Sequence, residues 1–252
     1  MDAGRKITSV MAHVRYAAAN RIRPRPEVSR TFYPQQPTCQ ISNMWLIFET
    51  FFGQRTEGLF VEVGAFDGVL YSNTWGLAAR GWRGLLIEPV PEFAASARKA
   101  HADHRAVQVV QTAIGASPGT AVMTTAGAFS SEDPEMIDEW ESLSWRRRGR
   151  QVSVLVRTLD DVLAEFTPSG EIDLLVVDVE GRERDALAGF SWSRLPRMVI
   201  LELPDLHPSP MQRGHAGIEI REDLLRGGYG IAYKDPINTV FVRPDVWQAA
   251  WP

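Results

Sequence analysis

The sequence predicts one doubly wound α/β domain over residues 41–252, preceded by an arm of residues 1–40. From residue 58 onward, short apolar runs alternate with stretches of helical periodicity, which is typical of a mostly parallel sheet covered by helices on both faces. Acidic residues interrupt several of the apolar runs near their ends. In an open parallel sheet that edge is where ligands bind, so the same pattern also predicts a binding cleft.

The composition is that of a globular protein, with 252 residues, 44% apolar residues and a formal net charge of −4. This balance gives no sign of nucleic-acid binding. The single cysteine, Cys39, excludes an intrachain disulfide and a cysteine-based zinc site, and it favours a reducing, cytoplasmic setting. No apolar run approaches the ~18 residues needed to span a bilayer, and the N-terminus lacks the apolar core of a secretory signal.

The arm is basic and begins with an amphipathic stretch. Seven of the first 30 residues are Arg or Lys, against two acidic residues. Apolar residues recur at helical spacing between Ile7 and Ala18, and Pro24 ends the pattern. The helix is expected to pack on the body or on a second subunit, with peripheral membrane contact as the alternative. Residues 24–40 are predicted to be a linker or an extended arm.

The first half of the body is predicted to contain three strands. MWLIFETFF is a short helix that Gly53 is placed to cap, and GLFVEVGA is the first strand. Ser72 is predicted to cap a helix that Gly81 ends. RGLLIEP is the second strand, and Pro91 suits the first turn of the next helix. AVQVVQTAI is predicted to be one continuous third strand.

The second half begins with two further strands, AVMTTA and VSVLVRT, on either side of a polar insertion, residues 131–150. The insertion is either a solvated surface segment or a lid that carries Trp140, Trp145 and arginines over a polar substrate. Thr158 and Asp161 resemble a capping box for the helix that follows. IDLLVVDV and RMVILELP are apolar strands that end in acids. The helix IREDLLRGG and the strands YGIAYKD and NTVFVRP close the chain.

The acids near the strand ends indicate one shared cleft. They are Glu62, Glu88, Asp178 with Glu180, and Glu202. A buried carboxylate is costly unless it has a partner, so four strands that repeat the pattern point to a common function. The alternative for each acid is a structural role in which it accepts backbone N–H groups.

The turn GAFDG after the first strand restricts the kind of ligand. Gly64 and Gly68 are four residues apart, so the turn lacks the G-x-G-x-x-G pattern that binds a dinucleotide pyrophosphate. The glycines let a ligand approach the backbone, while Asp67 disfavours a phosphate there. Glu88 is placed to accept both hydroxyls of a ribose. S-adenosylmethionine, with a ribose diol, a sulfonium and an amino-acid tail, suits this set.

These stretches resemble the FkbM-type methyltransferases, within the Rossmann-like class I S-adenosylmethionine-dependent fold. The matching segments are GLFVEVGAFDG, YSNT, RGWRGLLIEPVPE, TLDDVL, DLLVVDVEGRERDALAGF, VILELP and LLRGGYGIAYKDPINTVFVRPD. Their order and spacing cover about residues 40–245. The resemblance implies a seven-stranded sheet whose last strand is antiparallel. It also implies methyl transfer, most often to a hydroxyl on a sugar, glycolipid or natural-product acceptor.

The resemblance further implies roles for individual residues. The methionine end of the cofactor would meet Glu62, Gly64, Gly68, Ser72 and Asn73, the ribose Glu88, and the adenine Gln111, Thr112 and Ala113. Ala65, Asp67, Pro89 and Asp178 complete the expected cofactor set. Asp178 and Glu180 would face the methyl group or the acceptor. Glu183 either matches a recurrent acid of the family or is a solvated helix residue.

A hydroxyl acceptor benefits from a base that removes its proton. The expected catalytic residues are Asp178, Glu180 and His207, and no role is expected for His101 or His104. An alternative places Mg²⁺ between the oxygen ligands Asp178, Glu180, Glu202 and Asp205. The metal-free arrangement is favoured, because strand alternation need not turn Asp178 and Glu180 to the same side.

Two other classes of function stay open. A non-catalytic binding module of the same fold has no need of the acids at the strand ends. A nucleotide-sugar enzyme is disfavoured because the chain lacks both G-x-G-x-x-G and a Tyr-x-x-x-Lys pair in a helix.

Overall fold

The computed structural model describes residues 32–126, 129–131, 150–203 and 213–250. Within these ranges the chain forms a seven-stranded central sheet with helices, and a second sheet of four strands. The basic helix expected in the first 30 residues and most of the insertion 131–150 lie outside the described residues. None of the described helices is long and apolar enough to cross a bilayer.

The helices are α1 (Met44–Phe52), α2 (Trp75–Ala79), α3 (Pro91–Ala100), α4 (Leu159–Phe166), α5 (Glu183–Ala188), α6 (Arg213–Arg226) and α7 (Pro244–Ala250). The strands are β1 (Leu59–Val63), β2 (Arg83–Ile87), β3 (Val107–Val110), β4 (Ala113–Ile114), β5 (Gly119–Ala126), β6 (Phe129–Ser131), β7 (Gln151–Arg157), β8 (Leu174–Val177), β9 (Met198–Glu202), β10 (Gly230–Lys234) and β11 (Asn238–Val242).

The central sheet has the strand order β10-β11-β9-β8-β1-β2-β3. Strand β11 is antiparallel to both of its neighbours, and the strands from β9 to β3 are parallel to one another. This confirms the expected seven-stranded sheet with an antiparallel last strand. The strand order reverses between β1 and β8, and a ligand crevice is expected at such a switch point.

Alternation along the strands assigns their acids to one face of the sheet. Phe60 and Ile200 point to the face that carries α1. Glu62 and Glu202 lie two positions further along β1 and β9, so they belong to the same face. The opposite face packs against α4. The acids of these two strands therefore share their side of the sheet with α1 and with the segment that precedes it.

The described part of the arm packs into the body. Tyr33 is fully buried, and its ring contacts those of Phe48 and Trp82 at centroid distances of 5.5 and 6.4 Å. Burial of a large aromatic side chain gives a substantial hydrophobic contribution to stability. Of the two alternatives for residues 24–40, a free linker is therefore wrong for residues 32–40, which form an arm packed on the body.

The stretch AVQVVQTAI forms two strands in different sheets, which corrects the expected single strand. Strand β3 pairs with β2, whereas β4 pairs with β7 of the second sheet. Thr112, between them, is buried and donates its hydroxyl to the Leu155 carbonyl at 2.9 Å. The chain thus leaves the central sheet at Gln111 because Thr112 is bonded to β7.

Several helix boundaries agree with the sequence. Gly53 follows α1 with φ 59°, Pro91 opens α3, and the Thr158 hydroxyl accepts the Asp161 N–H at 3.1 Å. The start of α2 differs from the prediction, because the helix begins at Trp75 and Ser72 is not its cap. The hydroxyl of Ser72 faces Glu62 instead.

Candidate active site

The carboxyl edge of the central sheet brings the predicted acids together. Val63 of β1 is level with Ile87 of β2 and with Val177 of β8. The residues that follow these positions are therefore neighbours across the edge. Among them are Glu88 and Asp178, with Glu62 one residue inside β1.

Glu62 is buried, 4% exposed, and its partners come from the turn before α2. One carboxylate oxygen accepts the Thr74 hydroxyl at 2.7 Å and the Ser72 hydroxyl at 3.3 Å. Burial raises the pKa of Glu62 to about 7, and the nearby Asp178 adds to this, while the hydroxyl groups act in the opposite direction. Glu62 is thus a carboxyl group that changes charge near neutral pH.

Glu88 is similarly buried and supports the glycine turn. Its Oε2 accepts the Phe66 N–H at 2.9 Å, and its Oε1 accepts the Val90 N–H at 2.8 Å. Burial raises the pKa of Glu88 to about 7, against the effect of these two N–H donors. Phe66 has φ 49°, an unusual conformation for a residue with a side chain. Glu88 stabilises this conformation through the Phe66 N–H.

Both glycines of the turn GAFDG are required by packing within the protein. A Cβ atom on Gly64 would lie 1.7 Å from the Asp178 carbonyl oxygen, and one on Gly68 would lie 2.9 Å from the His101 ring. Both residues also have positive φ, 85° and 74°. The expectation that they make room for a ligand thus has a structural alternative, namely the close approach of β1 to Asp178 and of the turn to α3.

His101 is a residue that sequence reasoning missed. It is buried at the end of α3, and its Nε2 lies 2.8 Å from the Gly68 carbonyl oxygen. Its Nδ1 lies 3.0 Å from Nδ1 of His104. Because a carbonyl only accepts, Nε2 of His101 must carry a hydrogen. The pair therefore anchors the glycine turn, and the only sequence signal was that two histidines sit three residues apart near a helix end.

Asp67 stabilises the same turn from within. Its Oδ1 accepts the N–H groups of Val69 and Leu70 at 2.9 and 2.7 Å. This is an Asx turn, which short acidic side chains commonly form. Asp67 therefore shapes the loop through these two hydrogen bonds.

A carboxylate cluster lies where β8 and β9 end. Asp178, Glu180 and Glu202 each place one oxygen within 4.8 Å of the others. Glu180 reaches the cluster because the chain turns there, with φ 53° at Glu180 and 95° at Gly181. The concern that alternation would separate Asp178 from Glu180 is thereby removed. Asp205 and His207 lie outside the described residues.

Asp178 keeps part of its surface accessible, but its carboxyl group is surrounded by protein and by other acids. Burial raises the pKa of Asp178 well above its ordinary range, and Glu202, which shares a hydrogen bond with it, and Glu183 raise it further. A donor, the Gln40 amide at 3.0 Å, acts in the opposite direction. Two carboxyl groups that share a hydrogen bond require one proton between them.

Glu183 supports the turn that contains Glu180. It is buried, and its Oε1 accepts the N–H groups of Val179 and Gly181 at 3.2 and 3.1 Å. It is therefore not a solvated helix residue. The contacts explain why an acid stands in the first turn of α5, where it bonds the backbone of the preceding loop.

The other residues predicted to bind the cofactor lie outside the carboxylate cluster or serve other contacts. Asn73 is buried, and its amide bonds to Gln40 and to the Ile41 backbone. Ala65 is buried and donates its N–H to the Ile87 carbonyl at 3.1 Å, and Pro89 is half-buried. Gln111 is exposed and Ala113 half-buried beside the junction of the two sheets.

Comparison with protein families gives one match, which covers the stretch of chain that carries these acids. Residues 62–230 match the family model described as the methyltransferase FkbM domain. That range begins at Glu62 and includes Glu88, Asp178 and Glu202. The chain belongs to the FkbM methyltransferase family. No curated protein sequence matches the chain.

Solved structures resemble the FkbM chain only distantly. One is the O-methyltransferase TomG from Streptomyces achromogenes, which is involved in tomaymycin synthesis and was solved with S-adenosylmethionine. Its sequence is 16% identical to this chain, and the TM-score is 0.43. The match covers 79% of this chain and 78% of TomG. Another is an O-methyltransferase from Bacillus cereus, solved with S-adenosylhomocysteine, which is 13% identical with a TM-score of 0.44. This match covers 94% of this chain and 91% of the Bacillus cereus chain.

The FkbM match leaves the segment before β1 outside its range. Residues 32–61 contain Tyr33, Gln40 and α1, all of which lie before residue 62, where the matched range begins. This part of the chain nevertheless covers the face of the sheet that carries Glu62 and Glu202.

Proposed function

We propose that the protein is an S-adenosylmethionine-dependent methyltransferase that methylates a hydroxyl group. The observation that carries this proposal is the set of three carboxyl groups, on Glu62, Glu88 and Asp178, at the edge of adjacent parallel strands within the family-matched range. Each has a pKa raised by burial. Perturbed carboxyl groups that cluster at a ligand crevice are typical of functional sites.

The carboxyl groups fit the donor groups of S-adenosylmethionine. Each oxygen of Glu88 accepts one backbone N–H, and a carboxylate oxygen has capacity for a second hydrogen bond. Glu88 is thereby suited to a ribose diol. Glu62, which lies near Asp178, is suited to the ammonium group of the methionine end, because a cation there would stabilise both charged carboxylates.

S-adenosylmethionine supplies a methyl group on an already activated sulfonium carbon, so positioning contributes much of the rate. The protein's own contribution is to hold the acceptor hydroxyl and remove its proton. Asp178 is the base in this proposal: its raised pKa makes its carboxylate a stronger proton acceptor, and the Gln40 amide favours the charged form that can accept the proton. Glu202 and Glu180 lie beside it and are placed to orient the acceptor.

A metal-assisted version of the same reaction uses the same cluster. The oxygens of Asp178, Glu180 and Glu202, all within 4.8 Å of one another, form the kind of set that suits Mg²⁺. A divalent ion there would lower the pKa of a bound hydroxyl. The metal-free version is preferred, because Asp178 already has two hydrogen-bond partners, the Gln40 amide that donates to it and the carboxyl group of Glu202.

The acceptor is proposed to be a small molecule or glycan that presents a hydroxyl, on a sugar, glycolipid or natural-product scaffold. Three acidic side chains and the nearby amide of Gln40 offer many polar partners for such a compound. The basic N-terminal residues are proposed to serve self-association or contact with a membrane surface.

Binding calorimetry and methyl transfer test this function separately. S-adenosylmethionine and S-adenosylhomocysteine should bind, and labelled methyl from the cofactor should appear in a hydroxylated metabolite identified by mass spectrometry. Asp178→Asn should reduce transfer, while circular dichroism identifies variants that remain folded. Binding of NAD or a nucleotide sugar in place of S-adenosylhomocysteine would contradict the proposal.

A further inference from the structure

The segment before α1 reaches the candidate site through one side chain, Gln40. Its Nε2 donates to Asp178 Oδ2 at 3.0 Å, and its Oε1 accepts from Asn73 Nδ2 at 3.0 Å. The first contact joins residues 138 positions apart. Gln40 precedes the matched range of residues 62–230, so the family match by itself does not point to it.

The direction of these hydrogen bonds follows from a backbone group. The Ile41 N–H, which can only donate, bonds to Asn73 Oδ1 at 3.1 Å. The other end of the Asn73 amide is therefore its NH₂ group, and the Gln40 atom that faces it is the oxygen. Consequently the NH₂ group of Gln40 faces Asp178. The bonds run in one direction, from the backbone at residue 41 to the carboxylate.

A donor on Oδ2 affects where Asp178 holds a proton. It favours the charged form of the carboxyl group and disfavours a proton on that oxygen. Asp178 and Glu202 share a hydrogen bond and hence a proton. When that proton is on Asp178, it is favoured on Oδ1, because Oδ2 already accepts the Gln40 amide. Gln40 therefore opposes the acidic neighbours Glu202 and Glu183, which both act to protonate Asp178.

We infer that Gln40 is a positioning residue for this site: its amide holds the Asp178 carboxylate as a hydrogen-bond acceptor and ties it to Asn73. The inference rests on the proposed role of Asp178 as the base. It gives the segment before α1 a part in the chemistry, since that segment carries both Gln40 and the Ile41 N–H that orients the bonds.

The test replaces Gln40 and uses a second glutamine as the matched control. Gln40→Leu removes the amide, and Gln40→Glu keeps the shape but places another acid against Asp178. Gln35 is also half-buried in the same segment, but it bonds to backbone groups, the Ser42 carbonyl at 2.8 Å and the Trp45 N–H at 3.1 Å. Gln35→Leu therefore reports any general loosening of the segment.

The readout is the carboxyl titration of Asp178 by ¹³C NMR in chelator-treated protein, with Asp178→Asn to assign the resonance. The midpoint should rise in Gln40→Leu, since a hydrogen bond to the charged form of the carboxyl group is lost. Gln40→Glu should raise it as well, and Gln35→Leu should leave it unchanged.

Either of two results would overturn the inference: an unchanged midpoint in both Gln40 variants, or an equal rise in Gln35→Leu. Calorimetry with S-adenosylhomocysteine on the wild-type sample separates this outcome from failure of the proposed function. A protein that does not bind it would remove the methyltransferase proposal, and with it the role of Asp178 as the base, while a shifted midpoint would still show that the Gln40 amide bonds to Asp178.

Discussion

The substitution Glu62→Gln should stabilise the protein at alkaline pH. In the folded protein burial raises the pKa of Glu62 from 4.5 to about 7. A group with a raised pKa binds its proton more tightly in the folded than in the unfolded state. Its contribution to stability is therefore fully present below pH 4.5 and is lost as the pH rises through 7.

The size of the effect follows from the pKa difference. A rise from 4.5 to about 7 corresponds to ~3 kcal/mol in the free energy of unfolding, at ~1.4 kcal/mol per unit. Glutamine has nearly the shape of the protonated acid and does not ionise. Glu62→Gln should thus be close to wild type at about pH 5 and up to ~3 kcal/mol more stable at about pH 8.5, a rise of roughly 5–10 °C in Tm.

Urea unfolding across this pH range measures the difference directly. Glu57→Gln is the control, because Glu57 is an exposed glutamate in the loop before β1. Glu62→Gln should also weaken S-adenosylmethionine binding, since the proposed partner of the ammonium group is lost. Stability curves for wild type and Glu62→Gln that stay parallel from acid to alkaline pH would refute the reasoning, because Glu62 would then carry no buried charge.

Three further results are expected. Glu88→Gln should weaken S-adenosylhomocysteine binding by roughly 10- to 150-fold, because a charged hydrogen bond is worth ~1.5–3 kcal/mol; unchanged affinity in calorimetry would remove Glu88 from the site. A protein that starts at residue 32 should keep its cofactor affinity, whereas one that starts at residue 41 should lose several kcal/mol of stability with the buried Tyr33; equal melting temperatures would contradict this. Methyl transfer should survive exhaustive chelation, and activity that is lost and then restored by Mg²⁺ would favour the metal-assisted version.

The strands and their terminal acids were predictable because both signals are local. An apolar run predicts a buried strand, and an acid at its end predicts the ligand edge. The change of sheet at Thr112 was not predictable in this way. It depends on the hydroxyl bond to Leu155, which lies 43 residues further along the chain, and on the pairing of β4 with β7.

The partners of the site residues were harder to predict than the residues themselves. Gly64 and Gly68 were expected because of a ligand, but the atoms nearest to their missing Cβ positions belong to Asp178 and His101. Sequence alone cannot tell a glycine that admits a ligand from one that admits a neighbouring backbone or ring. Gln40 was missed for a related reason, since its partner is 138 residues away.

The second sheet has a consequence for how far the length of the chain between two of its strands can change. Strands β5 and β7 pair at six positions, and the chain between them, residues 127–150, includes the whole polar insertion, residues 131–150. The pairing of β5 with β7 therefore holds the two ends of this segment together. Doubling the length of a flexible chain between two fixed ends costs only ~0.6 kcal/mol in chain entropy. Evolution or engineering can exchange this segment at little cost, while β1, β2 and β8 retain Glu62, Glu88 and Asp178 at the edge of the other sheet.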